Sequence, residues 1–308
     1  MATYHILHET VYQYSVPVRL SHQVLRLTPR FLPWQTCISH TINIAPLPQN
    51  VNIYVDSFGN ALQSFSLDQD HAGLEVQAES WVEMVEHPLP DMTPGWQEVA
   101  TALSYRAGRH LSDEMLDASR FLFESPHVRI KREFAAYAAQ CFAPNATLLE
   151  GIATLMHRIF SEFTFDPHAT TVSTPVTEVF ANKRGVCQDY AHFMLSCLRS
   201  IGLAARYVSG YLLTQPPPGQ ARLIGADASH AWVSVYCPGP DGAPGCWIDA
   251  DPTNDLFPGI SHITLGWGRD FLDISPLRGV LIGGGQQTME VAVTVRPADE
   301  LPGLPFAR

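Results

Sequence analysis

Short runs of alternating apolar and polar residues fill about the first 85 positions of the chain. The clearest runs are residues 25–28, 40–44 and 51–56, and the turn-forming sequence at 58–60 interrupts them. Alternation with a period of two is typical of antiparallel strands that bury one face. The pattern predicts an all-β N-terminal module of the β-sandwich type.

The pattern changes where Pro88, Pro90 and Pro94 interrupt the chain. From about residue 96 to residue 163 apolar residues recur at helical spacing, most clearly at 134–141 and at 148–160, and Asn145 is expected to help cap the second helix. We therefore predict a β-rich domain over 1–90. The helical segment and a catalytic core follow over 91–308.

The C-terminal half combines one strongly apolar helix with several strands. Apolar residues at three- and four-residue spacing predict a packed helix over 187–201, which ends before Gly202. The strand period returns at residues 205–213, 229–237, 245–251 and 288–296. The expected fold class is α+β, with helices packed on an antiparallel sheet.

The start of the apolar helix carries the first candidate for chemistry, Cys187. Gly185 precedes it and Gln188 and Asp189 follow it, which predicts a tight turn that opens the helix. The unpaired N–H groups and partial positive charge of a helix N-terminus stabilise a thiolate. The backbone N–H of Cys187 is also placed to stabilise an oxyanion. Cys141 and Cys197 have the pattern of inert buried thiols.

A histidine and an aspartate on two later strands complete a candidate catalytic triad, in which the histidine is the general base and the aspartate orients its imidazole. His230 lies on a strand of period two, and Trp232 shares its face. Asp249 and Asp251 point to the same side of the next strand, so the period does not choose between them; Asp251 is favoured because it precedes Pro252 at the strand end. The order predicts a Cys-His-Asp arrangement. The other histidines, His192 and His262 included, are expected to be ordinary core or surface residues.

Four sequence blocks resemble the transglutaminase-like superfamily, and more narrowly its bacterial members with a β-rich N-terminal region. The blocks are residues 185–192, 202–211, 227–233 and 251–254; weaker similarity covers 10–14, 25–30, 56–60, 268–279 and 283–285. The resemblance implies a papain-like α+β core. It also implies that Cys187 is the nucleophile, His230 the base and Asp251 the orienter. Where many relatives have Glu two residues after the tryptophan, this chain has Ser234.

The same resemblance implies that Cys187 attacks a peptide or carboxamide carbonyl and forms a thioester. We expect Trp232, Gln188 and Tyr190 to contact the substrate. Water as the acceptor gives a protease or amidase, which we rank first, and a lysine amine gives protein cross-linking by a protein-glutamine gamma-glutamyltransferase. A non-catalytic peptide-binding scaffold is the third alternative. The segment 266–270 either lines the cleft or forms a tight turn packed by Trp267.

Composition and charge exclude some classes of binding partner but do not identify the substrate. The net charge of −11 over 308 residues argues against nucleic acid or an anionic membrane surface as the main partner. No signal peptide and no membrane-spanning apolar stretch is evident, which predicts a cytoplasmic protein that acts on a peptide or protein. The spacing of the six cysteines predicts neither a metal site nor a cofactor. Cys237 and Cys246 flank a loop and are either joined in a disulfide or present as two reduced thiols. The sequence does not predict the oligomeric state.

Overall fold

The computed structural model describes residues 1–108, 110–214, 229–240 and 243–301. Its strands are β1 (Ala2–Leu25), β2 (Gln35–Ala45), β3 (Val51–Val55), β4 (Ala61–Leu67), β5 (His71–Met84), β6 (Thr164–Phe165), β7 (Arg184–Gly185), β8 (Ala205–Leu212), β9 (Ser229–Cys237), β10 (Cys246–Ala250), β11 (His262–Gly268), β12 (Leu277–Gly283) and β13 (Gln287–Pro297). Its helices are α1 (Trp96–Leu103), α2 (Asp113–Ser119), α3 (Arg132–Ala139), α4 (Leu148–Glu162), α5 (Val176–Asn182), α6 (Cys187–Ser200) and α7 (Phe271–Ile274). The predicted α+β class is confirmed.

The alternating N-terminal runs form one antiparallel sheet in the order β2-β5-β1-β4-β3. The first half of β1 pairs with β5, and its second half pairs with β4. Both halves of the sheet contribute to one buried apolar cluster, made of Tyr14, Val18, Leu25, Leu27, Phe65, Leu67, Leu74, Val76 and Ala78. The N-terminal module is therefore an antiparallel β-rich region with its own apolar cluster, and the sandwich form stays a prediction.

The last two strands join this N-terminal sheet, although they lie far away in the sequence. Strand β13 pairs with β1 from Tyr4 to Tyr14, and β12 pairs with β1 from Val18 to Leu25. The predicted strand at 288–296 therefore lies against the start of the chain. The division of the chain at residue 90 stays a prediction.

The catalytic-core sheet is antiparallel, in the order β10-β9-β8-β11, and α6 packs on its central strands. Helix α6 is buried along nearly its whole length, as its apolar sequence predicts. Cys237 and Cys246 are Cα partners across β9 and β10, and both are free thiols, so the disulfide alternative does not apply. The cap of α4 is Thr147, not Asn145, because the Thr147 hydroxyl and the Glu150 carboxylate bond each other's backbone N–H groups.

A separate apolar cluster holds the two sheets together. It combines residues of β1, β5 and β13 with residues of β8 and β11: Tyr4, Ile6, Val82, Met84, Tyr211, Ile263, Leu265, Val293 and Val295. Two polar contacts add to it, since His8 Nδ1 lies 2.9 Å from the Tyr211 hydroxyl and the Gln35 amide bonds both the N–H and the carbonyl of Thr264. The outer strand β11 of the core is thereby anchored on the N-terminal sheet.

Candidate active site

Cys187 is the first residue of α6, and a carboxylate two residues later shapes the turn before it. Asp189 accepts hydrogen bonds from the Val186 N–H at 2.8 Å and from the Thr170 hydroxyl at 2.6 Å. A side chain at Gly185 would collide with this carboxylate, so the turn requires glycine. The half-buried thiol of Cys187 thus sits at a helix N-terminus, as the sequence predicts.

The imidazole of His230 connects the cysteine with an aspartate. His230 Nε2 lies 2.7 Å from Asp251 Oδ2, and the Cys187 thiol interacts with the same imidazole and helps to raise its pKa. Because Asp251 occupies Nε2, Nδ1 is the ring nitrogen left for the thiol. The structure therefore brings together all three residues of the predicted arrangement.

Asp251 is fully buried and is surrounded by hydrogen-bond donors. Besides His230, its Oδ2 accepts from Asn254 Nδ2 at 2.7 Å, and its Oδ1 accepts from the Thr253 N–H at 2.9 Å and the Asn254 N–H at 3.3 Å. The turn that follows β10 supplies three of these donors. A carboxylate bound in this way is held in one orientation and cannot rotate away from the imidazole.

Burial and hydrogen bonding act in opposite directions on the pKa values of this pair. Burial alone would lower the pKa of His230, but its bonds with Asp251 and Cys187 outweigh burial and raise that pKa to about 10. Burial would likewise raise the pKa of Asp251, but bonds from His230, His262 and Asn254 hold it well below its usual range. The site favours an ion pair of imidazolium and carboxylate.

The choice between the two aspartates has a geometric basis. Asp249 does not reach the imidazole; its Oδ2 accepts a hydrogen bond from the Trp232 indole N–H at 3.2 Å. Asp251 lies beyond the end of β10, where the chain turns back to bond Leu256, and its carboxylate is directed at His230. The sequence preference for Asp251 agrees with this geometry.

The three residues expected to contact substrate occupy different environments. Gln188 is partly exposed beside Cys187, and its amide points to the Val172 carbonyl at 3.4 Å. Trp232 is 0% exposed and stands edge to face with His262. Tyr190 is a buried residue of α6, and its ring contacts the ring of Phe163. Of the three, Gln188 is the one with surface next to the thiol, and a substrate role for each of them stays a prediction.

Two residues of the site escaped the sequence analysis. His262 Nε2 lies 3.2 Å from Asp251 Oδ2, and Asn254 binds the same oxygen. Asn254 lies in the 251–254 block, three residues after Asp251, so its contact is local although the sequence analysis gave it no role. No motif marks His262, whose contact arises from the fold. Within the described ranges, His230, Asp251 and His262 form the one group of at least three His, Cys, Asp or Glu side chains whose ligand atoms all lie within 4.8 Å of one another, and hydrogen bonds link these atoms.

The segment 266–270 closes β11 and is packed rather than open. The Trp267 ring lies between two guanidinium groups, those of Arg30 and Arg206, each 3.5 Å from the ring centroid. Burial lowers the pKa of Arg206 to about 9. Residues 266–268 are the last residues of β11 and not a tight turn, so that alternative is wrong even though Trp267 is packed, and a place in the cleft stays a prediction.

Comparison with known proteins agrees with this architecture. Residues 4–83 match the bacterial transglutaminase-like N-terminal region, and residues 135–252 match the transglutaminase-like superfamily. An uncharacterized protein of Mycobacterium tuberculosis is 38% identical over 296 residues, which cover 96% of this chain and 92% of that protein. The chain belongs to the transglutaminase-like superfamily.

Two further similarities bear on the fold and on the reaction. The crystal structure of a proposed cysteine protease from Cytophaga hutchinsonii shares the fold, with a TM-score of 0.73 at 17% identity over 99% of this chain and 93% of that one. A protein-glutamine gamma-glutamyltransferase of Pseudomonas aeruginosa is 30% identical over 139 residues, which are 40% of this chain and 20% of that protein. Among the described residues no helix combines the length and apolar character that a membrane crossing requires.

Proposed function

We propose that the protein is a cysteine hydrolase, a protease or amidase that acts on a peptide bond or a glutamine carboxamide. The observation that supports the proposal most directly is the position of His230, which pairs with Asp251 at 2.7 Å and interacts with the Cys187 thiol. A thiol at a helix N-terminus, an imidazole and a buried carboxylate in this order are the parts that acyl transfer requires.

In the proposed reaction the proton of Cys187 already resides on His230, in keeping with the raised pKa of that imidazole, and the Cys187 sulfur attacks the carbonyl carbon. The backbone N–H of Cys187, in the first turn of α6, is a donor for the resulting oxyanion. His230 then gives its proton to the departing amine, and a thioester remains. Water attacks the thioester while His230 accepts its proton, which releases the acid and restores the thiol. Asp251 keeps the imidazole oriented throughout.

A primary amine in place of water is the second candidate, since it would give a cross-linked product through the same thioester. The similarity to the Pseudomonas transglutaminase supports this candidate over part of the chain. Both reactions share the first half, so the acceptor is what separates them.

Mass spectrometry of a defined peptide pool, incubated with the protein with and without a primary amine, tests the proposal. We expect cleaved peptides, or glutamine converted to glutamate, from the wild-type protein and not from Cys187→Ala. Cys37→Ala is the matched control, because Cys37 is a half-buried thiol on the N-terminal sheet. Amine attached to glutamine would instead establish cross-linking. Unchanged peptides in every sample would contradict the enzyme and favour the binding scaffold.

A further inference from the structure

The proposed reaction gives no role to His262, although this side chain touches the triad. His262 is the first residue of β11, and its side chain is almost completely buried. Its Nε2 lies 3.2 Å from Asp251 Oδ2, the same oxygen that binds His230. Two imidazoles therefore meet at one carboxylate oxygen, and their ring centroids are 5.9 Å apart.

The hydrogen-bond pattern fixes what His262 does at this contact. An ionised carboxylate only accepts, so Nε2 of His262 must carry a hydrogen and donate it to Asp251. Its Nδ1 lies 3.2 Å from the Ser261 hydroxyl, which bonds the other side of the ring. The edge of the ring packs on Trp232, with centroids 5.3 Å apart at 87°. The imidazole is thus held on three sides.

We infer that His262 is a positioning residue, which holds the Asp251 carboxylate in the orientation that aligns His230 with the Cys187 thiol. The inference rests on the proposed function, because it assigns His262 a part in the same triad. His262 does not touch the reacting atoms; it acts through Asp251. The donors of the Asn254 turn hold Asp251 from its own loop, whereas His262 holds it from a separate strand. Strand β11 therefore fixes the triad to the sheet.

Paired substitutions separate this hydrogen bond from simple packing. His262→Gln keeps an amide N–H that can reach Asp251, whereas His262→Leu fills similar space without a donor. We expect His262→Leu to lower kcat about 10- to 100-fold with little change in KM, since a buried bond to a charged group is lost. His262→Gln should stay within about fivefold of the wild type. His8→Leu, which removes another buried histidine that bonds Tyr211 and Thr10 and not Asp251, should lower stability without lowering kcat.

A cavity beside His262 allows a rescue experiment. His262 lines a space of about 210 Å³ together with Asp249, Trp247 and Thr264. A cavity of ~150 Å³ in another protein admits benzene, so imidazole fits in this space once the His262 ring is removed. We expect added imidazole to restore activity to His262→Ala in a saturable manner and to leave Cys187→Ala inactive. A merely structural role for His262 would give no saturable recovery.

The rate at which iodoacetamide alkylates Cys187 keeps the inference testable without a known substrate. If no peptide is turned over, the hydrolase proposal fails, yet the alkylation rate still reports whether His230 is aligned with the thiol. We expect this rate to fall several-fold in His262→Leu and Asp251→Asn, and to be retained in His262→Gln and Asp249→Asn. Equal rates in both His262 variants, whether at the wild-type level or reduced together with stability, would overturn the positioning role.

Discussion

At the scale of single residues, the carboxylate of Asp251 is held by hydrogen bonds from several different groups. It is fully buried, and it accepts from two imidazoles, one amide side chain and two backbone N–H groups. A buried carboxylate without such partners would cost several kcal/mol. The donors therefore stabilise the negative charge of the Asp251 carboxylate, and this charge in turn stabilises the protonated form of His230.

The pair of His230 and Asp251 makes the stability of the fold depend on pH. The pKa of His230 is raised to about 10, so its contribution is complete below its ordinary value of about 6.5 and is lost as the pH rises through 10. The pKa of Asp251 is lowered, so its contribution is present above about 3.9 and is lost in acid. The pair contributes most between about pH 4 and pH 6.5.

Urea unfolding of the wild type and of Asp251→Asn, at pH 6 and at pH 10, tests this dependence. We expect the difference between their free energies of unfolding to be larger at pH 6, by about 1 kcal/mol or more. Asp255→Asn is the control, because it removes an equally short 2.7 Å pair with His157 whose imidazole is exposed. A difference that is the same at both pH values would show that the ion pair does not contribute as described.

At the scale of elements, the first turn of α6 places the nucleophile. The Asp189 carboxylate accepts hydrogen bonds from the Val186 N–H and from the Thr170 hydroxyl. These two bonds hold the turn that carries Cys187. Helix α4 begins with a comparable device, the reciprocal bonds of Thr147 and Glu150. Of these two helices, only α6 carries a thiol that interacts with His230.

These two caps allow a matched test of positioning. Asp189→Ala and Thr147→Ala should each lower the free energy of unfolding by about 1–2 kcal/mol, because each leaves backbone donors of a first turn unpaired. We expect only Asp189→Ala to slow the alkylation of Cys187 by iodoacetamide, since its loss lets the turn move away from His230. Similar alkylation rates in the two variants would mean that the helix, and not Asp189, holds the thiol.

Site residues that local sequence patterns mark can be predicted, whereas residues that reach the site only through contacts between distant segments cannot. Cys187, His230 and Asp251 can be predicted because helix onset, strand period and the proline after Asp251 are local signals. His262 cannot, because its contact with Asp251 depends on β11 pairing with β8 and on the turn after β10. Likewise the period predicts a strand at 288–296, but pairing with the first strand of the chain carries no local signal.

At the scale of the whole molecule, the two sheets share one apolar cluster. Val295 of β13 is fully buried there with Tyr4 of β1, while Tyr211 and Leu265 come from the catalytic-core sheet. The cluster therefore links the strand pairs at both chain ends to β8 and β11, and β11 holds His262. Loss of packing in this cluster is expected to weaken the catalytic core as well as the N-terminal sheet.

Val295→Ala tests this coupling, and Val291→Ala on the same strand is its control because Val291 is 47% exposed. We expect Val295→Ala to lower the free energy of unfolding by about 2 kcal/mol and Val291→Ala by no more than about 0.5 kcal/mol. Far-UV circular dichroism in urea measures both values. Thiol labelling of Cys197, which is buried in the catalytic core, reports whether that core follows. Its labelling midpoint should move to lower urea in Val295→Ala; an unchanged midpoint would mean that the catalytic core unfolds independently of the N-terminal sheet.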